Sequence, residues 1–159
     1  MRLTFAGALV AAILFAGPVS AQSVTLNAPG GVTRVMAAGD LSALSRETIS
    51  LTAHGRTHAY SGPTLASVLA AMDAPLGPAL RGPALKTVVV VRAADGYGVA
   101  FSLAEIDPAM RSTRIILADR EGDAAIPAED GPLRLVVEGD SRPARSVRQV
   151  TTIEMRTLE

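Results

Sequence analysis

Four arginines crowd the last quarter of this chain: Arg134, Arg142, Arg145 and Arg148 fall within 15 positions, opposed locally only by Glu138 and Asp140. A guanidinium presents a planar fork of donors that meets a phosphate, a carboxylate or a polar heterocycle with two parallel hydrogen bonds. The same four residues also read as solvated strand-edge charges paired with neighbouring acids, and residue types alone leave both readings open. A second chemical stretch is Asp95-Gly96-Tyr97, an acid and one of only 2 tyrosines placed at a corner. Gly accepts a positive φ there and Asp can bond its own backbone, so a tight turn is expected. Either Tyr97 covers the core of an ordinary hairpin or the corner carries chemistry. The only 2 histidines, His54 and His58, flank Gly55 in what reads as the hairpin loop His54 to His58. Zinc would need a further protein ligand that neither His nor Cys supplies, so they read as exposed turn residues with no metal role. No Gly-x-Ser-x-Gly, Walker loop, His-Glu-x-x-His or dinucleotide glycine fingerprint occurs.

The first 21 residues are expected to lie outside the fold. Arg2 is a positive n-region, Leu3 to Gly17 an apolar h-region, and Val19-Ser20-Ala21 a small-residue cleavage site, so 1–21 reads as a signal peptide. Cleavage near Ala21 would leave a periplasmic or secreted protein with no membrane anchor. About 138 residues would follow, enough for one domain, 22–159, with a proper apolar core. The count of Cys is 0, which removes disulfides, thiolate nucleophiles and thiolate metal ligands together. Losing Arg2 moves the formal charge from zero to one unit negative, and aromatic residues are 3% of the chain. Neither a bulk pull toward nucleic acid nor a stacking platform for it follows.

The elements that must position these residues can be read in order. Thr87 and Val88 to Val91 form a β-branched run expected to be a central strand buried on both faces. Val99 and Phe101 resume the strand after the Asp95-Gly96 corner, and Leu103 to Ile106 form one helical turn stopped by Asp107-Pro108. Val24 to Leu26, Thr48 to Thr52, Thr113 to Ala118, Leu133 to Val137 and Val147 to Met155 read as further strands. Asp40 is expected to cap a short helical turn, and Arg120 to Asp123 to form a turn. Pro63 is expected to open the clearest helix, running to Met72 and packing Leu65, Val68, Leu69 and Met72 on the sheet. The sum is an α+β domain: one domain, a mixed β-sheet and few helices.

Four segments, taken together, carry a family resemblance. Tyr60-Ser61-Gly62-Pro63-Thr64-Leu65 resembles the aromatic-x-Gly-x-x-Leu entry to the helix in oxidoreductase molybdopterin-binding domains of the sulfite oxidase type. Ala94-Asp95-Gly96-Tyr97, with Phe101 to Glu105 after it, is similar to that family's Asp-Gly-Tyr segment. Gly131 to Val137 and Arg145 to Val150 resemble its closing Gly-Pro strand and Arg-Trp-Val-Arg segment, with Ser146 in place of the Trp. The resemblance spans about Leu51 to Glu154 in one consistent order.

The resemblance implies a sulfite oxidase molybdopterin-domain-like fold and a pterin-type ligand. Full enzymes of the family hold molybdenum through a cysteine thiolate, which this chain lacks, so a metal-free pterin is the expected ligand. Some relatives are periplasmic pterin-binding proteins that report to a membrane-bound cyclic-di-GMP enzyme. The first reading is therefore a non-catalytic binder of a small-molecule heterocycle, signalling to a membrane-bound partner. A molybdopterin-dependent oxidoreductase and a docking module without ligand are the alternatives. In the first reading Asp95, Gly96, Tyr97, Arg134, Arg145 and Arg148 line one shallow site. Asp95 would accept from the pyrimidine edge of a pterin, Tyr97 would offer an aromatic face, and an arginine would cover the other side. Arg56, on the hairpin loop, is expected to lie far from this site.

Overall fold

The computed structural model describes residues 22–53 and 55–159. The signal-peptide expectation for 1–21 and the role of His54 lie outside the described residues.

The largest sheet has five strands, β1 (Ser23–Ala28), β2 (Val32–Ala37), β5 (Thr87–Ala93), β6 (Gly98–Ser102) and β11 (Val150–Thr157), in the order β2-β1-β11-β5-β6. It is mixed, because β1 runs parallel to β11 while every other pair is antiparallel. A hairpin of β3 (Arg46–Ala53) and β4 (Arg56–Pro63) continues into the two-residue strands β8 (Arg120–Glu121) and β9 (Ala124–Ala125). Between these layers lies an antiparallel ribbon of β7 (Ile115–Ala118) and β10 (Arg134–Val137). The helices are short: α1 (Ala38–Ser42), α2 (Leu65–Ala70) and α3 (Leu103–Ile106).

The ribbon is the structural centre because both its faces are apolar. Ile115, Leu117, Leu135 and Val137 join the core beneath the five-stranded sheet, with Leu65, Val68, Leu69, Val89, Val91 and Phe101. Ile116, Ala118 and Val136 turn the other way and pack against Ile49, Leu51 and Tyr60 of the β3–β4 hairpin. Continuous apolar runs without polar alternation mark strands covered on both sides; β7 meets that description at every residue and β10 from Leu135 onward, with its first residue, Arg134, buried as well. The Val88–Val91 run does not. Its strand β5 lies between β11 and β6, beside the middle strand; Val89 and Val91 are buried while Val88 and Val90 are only half-buried. The physical reason is that α2 and the ribbon pack on one side of that sheet only.

Several local expectations shift by a residue or two. Pro63 ends β4, and the helix begins after Thr64, whose hydroxyl accepts a 3.1 Å bond from the Ser67 N–H. A hydroxyl that satisfies an orphan helical N–H outweighs the fixed φ of a proline as a start signal. Leu65, Val68 and Leu69 of α2 are buried, while Met72 lies just past its end and is half-buried. Asp40 sits inside α1 rather than capping it from outside, and its carboxylate accepts from the Ala37 N–H at 3.0 Å. The expected loop His54 to His58 is shorter, since Arg56, Thr57 and His58 already belong to β4. Arg120 and Glu121 are strand rather than turn, the bend falling at Gly122 with φ 56°. The final strand starts at Val150 rather than Val147.

Gly62 explains part of the aromatic-x-Gly-x-x-Leu segment without any ligand. A Cβ there would lie 2.2 Å from the Leu117 carbonyl oxygen and 2.6 Å from the Ala118 Cα. Only glycine lets β4 cross the ribbon this closely. Leu65 of the same segment is fully buried core.

Candidate functional site

Strand alternation places Arg56, His58 and Tyr60 on one face of β4, each two residues from the next. Opposite them, β10 begins with Arg134, and the segments 127–131 and 143–149 close the sides. The result is a cleft of about 580 Å³, bounded by Arg56, His58, Tyr60, Glu121, Asp130 and Arg134 among others. Volumes of a few hundred Å³ suit small ligands. A second hollow of about 510 Å³ adjoins it and includes Asp95 and Tyr97. Glu129, Pro143, Ser146 and Arg148 line both, so the two hollows share a ridge.

Arg134 is the most deeply buried charge in the cleft, at 6% exposure. Its guanidinium carbon lies 5.0 Å from the centre of the Tyr60 ring, a cation–π distance. One terminal nitrogen donates to the Asp130 carboxylate and, at 3.3 Å, to the Tyr60 hydroxyl oxygen. Its Nε–H is buried without a hydrogen-bond partner. A buried orphan donor on a charged group is costly, and native structures hold few of them. Tyr60 is itself 4% exposed, and burial, the largest cause, pushes its phenol above the ordinary value of 10 while Arg134 pulls it down. It therefore stays a neutral hydroxyl at physiological pH.

The remaining charges form a chain of pairs. Asp130 also accepts from Arg148 at 3.2 Å, so one carboxylate ties the buried and the exposed arginine together. His58 pairs through Nδ1 with Glu121 of β8, and the His58 and Tyr60 rings stand 6.4 Å apart. Among the described residues no carboxylate pairs with Arg56, and no cation pairs with Glu129. The 127–131 turn is well fixed: the Asp130 and Gly131 N–H groups donate to the Pro127 carbonyl at 2.9 and 2.8 Å. Gln149 braces it from outside, donating its side-chain amide to the Ala128 carbonyl at 3.1 Å and its N–H to the Asp130 carbonyl at 2.9 Å. That brace holds Gln149 at φ 47°, in the left-handed region.

The residues expected from the sequence divide three ways. Arg134 and Arg148 are brought together through Asp130. Asp95 and Tyr97 share the second hollow with Arg148, at the tip of the β5–β6 hairpin. Gly96, with φ 87°, makes the turn there, while Asp95 accepts from the Tyr97 N–H at 2.8 Å. Tyr97 does not cover the core: it is 50% exposed and its hydroxyl donates to the Ala144 carbonyl at 2.8 Å. Arg145 faces elsewhere. Its Nε and one terminal nitrogen bind Asp140 at 2.9 and 2.6 Å, its other terminal nitrogen binds Glu105 at 3.1 Å, and it lies over Phe101. It lines neither hollow.

Arg56 is not distant at all; it lines the cleft with Arg134. Together with His58, Tyr60, Glu121, Glu129 and Asp130 it was not foreseen as part of a site. The signal was present for three of them, since Arg56, His58 and Tyr60 alternate along one strand. Nothing local marks the other three, which reach the cleft only by folding.

No family model matches the chain, and no curated protein matches it. Among solved structures it is similar to the sulfane dehydrogenase SoxCD from Paracoccus pantotrophus, with a TM-score of 0.61 and 20% identity over 86% of this chain. The chain spans 39% of the length of that one. The likeness establishes a shared fold: an α+β domain with a mixed sheet and few helices.

Proposed function

We propose that the protein is a non-catalytic binder of a planar polar heterocycle of the pterin class, seated in the cleft between Tyr60, Arg134 and Arg148. The observation that carries this is Arg134: a nearly buried guanidinium stacked on an aromatic ring, held by Asp130, with an unpartnered donor, in the wall of an open cleft. Guanidinium and phenol together offer a face and hydrogen bonds to a flat ring with carbonyl and amino groups. The fold shared with a stretch of a sulfane dehydrogenase supports the resemblance to the molybdopterin-domain family that motivates the ligand class.

The donor set fits the organic pterin and does not fit a thiolate-held molybdenum. The cleft presents guanidinium, imidazole, phenol and carboxylate groups, and the chain has 0 cysteines. Export by the leader 1–21, and a membrane-bound partner that senses the liganded state, complete the proposal.

Titration with oxidised and reduced pterins, followed by heat or by ligand fluorescence, tests it. Binding with a Kd below about 1 mM is expected, equivalent to about 4 kcal/mol or more. No heat and no fluorescence change would overturn the binder reading in favour of a docking module. Stoichiometric molybdenum in protein from its native host would favour the oxidoreductase.

A further inference from the structure

We propose that Glu129, not Asp95, is the carboxylate that reads the donor edge of the ligand, and that the site therefore selects a 2-amino-4-oxo ring over its 2,4-dioxo counterpart. This rests on the heterocycle-binding proposal above and names the chemical feature the site distinguishes.

The inference comes from striking out carboxylates already engaged. Reading two parallel N–H donors on one ring edge takes both oxygens of a carboxylate. Asp130 has one oxygen on Arg134 and the other on Arg148. Glu121 is paired with His58. Asp95 spends one oxygen on the Tyr97 N–H and lines only the second hollow. Glu129 remains, with no hydrogen bond or ion pair from its side chain among the described residues, and it lines both hollows. Its position is fixed by the Pro127 and Gln149 bonds of its turn rather than by its own side chain. A carboxylate bonded to nothing in its own chain can give both oxygens to an outside pair of donors.

The ring chemistry follows. A 2-amino-4-oxo pyrimidine edge carries an amino N–H beside a ring N–H, two donors side by side. The 2,4-dioxo edge replaces the amino group with a carbonyl, which would face a carboxylate oxygen with no proton between them. A site built to accept from a donor rejects the analogue that lacks it, because a desolvated group is left unpaired. Arg148, which lines both hollows with Glu129 and is exposed, is the cation that would meet the ring carbonyl common to both.

The probes are pterin and lumazine, its 2,4-dioxo analogue, titrated into the full chain. Wild type should bind pterin about ten- to a hundred-fold tighter, the equivalent of one charged hydrogen bond. Glu129→Gln, whose amide can donate to the extra carbonyl, should bring that ratio close to unity or reverse it. Asp95→Asn should leave the ratio as in wild type. Equal affinities in wild type, or a preference that survives Glu129→Gln, would overturn the assignment while leaving a heterocycle site standing. A ratio that collapses in Asp95→Asn instead would return the role to the hairpin corner. Failure of both compounds to bind would remove the binder reading itself and this assignment with it. Glu129 is exposed and unpaired, so the thermal midpoint of Glu129→Gln should match wild type and separate lost recognition from lost folding.

Discussion

Arg134 and Arg145 are built alike and used differently. Each lies over an aromatic ring, at 5.0 Å from Tyr60 and 5.1 Å from Phe101, and each is held by carboxylates. Arg145 engages all three of its guanidinium nitrogens inside the protein, two on Asp140 and one on Glu105. By doing so it pins the 143–149 segment to α3 and β6. Arg134 is far more buried, yet its Nε–H has no partner, its supporting carboxylate is shared with Arg148, and its ring partner carries a hydroxyl. A guanidinium whose fork is filled by its own chain is a fastener. One left incomplete in the wall of a cleft keeps a donor that its own chain does not satisfy.

The largest expected effect comes from breaking the Arg134 side. Arg134→Met leaves Asp130 without its buried partner, and such losses cost about 3–5 kcal/mol. For a domain of this size the thermal midpoint should fall by about 10 °C or more, and pterin binding should vanish. A midpoint within a degree or two of wild type would show that the buried pair contributes little. Arg148→Ala sharpens the contrast, because this arginine is exposed and tied by one bond. Stability should stay within about 0.5 kcal/mol while binding weakens by about ten- to a hundred-fold, read in the same titration.

Arg145→Ala should behave in the opposite way. The pair with Asp140 is partly exposed, so about 1 kcal/mol of stability should go. Ligand affinity should change less than threefold or so, the range of small packing adjustments. A large affinity loss would put Arg145 in the site after all.

The smallest effect is a pH dependence. Burial alone would raise Glu105, but bonds from the Ser102 N–H, Arg145 and the Ser102 hydroxyl outweigh it and hold the carboxyl below its ordinary 4.5. A folded value below the unfolded one adds stability that is complete above the unfolded value and disappears as pH falls through the folded one. Glu105→Gln should therefore flatten the stability curve only below about pH 4.5, by about 0.5 kcal/mol given its exposure. Denaturant titrations at pH 3.5 and 7 would show it; an equal loss at both would mean that the carboxylate is not the titrating group.

The fold was more legible than the site. The alternation of Thr48 to Thr52 in β3, the strand segments of β10 and β11, the Asp95-Gly96 corner and the stripe of Leu65, Val68 and Leu69 are local signals, and they survive in the structure with small shifts in their ends. The burial of β5 was overread because β-branched residues report strand formation, whereas covering its second face depends on what packs there. Gly62 looked like part of a cofactor motif and is at least a packing device, which only the position of the Leu117 carbonyl reveals.

By itself the sequence determined the chemistry that could exist: no thiolate, few aromatics and a cluster of arginines. It could not decide which arginine is complete. That depends on Asp140 and Glu105 closing around Arg145 while Asp130 is divided between Arg134 and Arg148, a competition among residues far apart in the chain. Hydrogen bonds saturate within about 3 Å, so partners are chosen by tertiary proximity and not by spacing along the sequence. For the same reason Arg56 moved from a remote loop to the wall of the cleft, and Glu129 was left as a cleft carboxylate with no side-chain partner among the described residues.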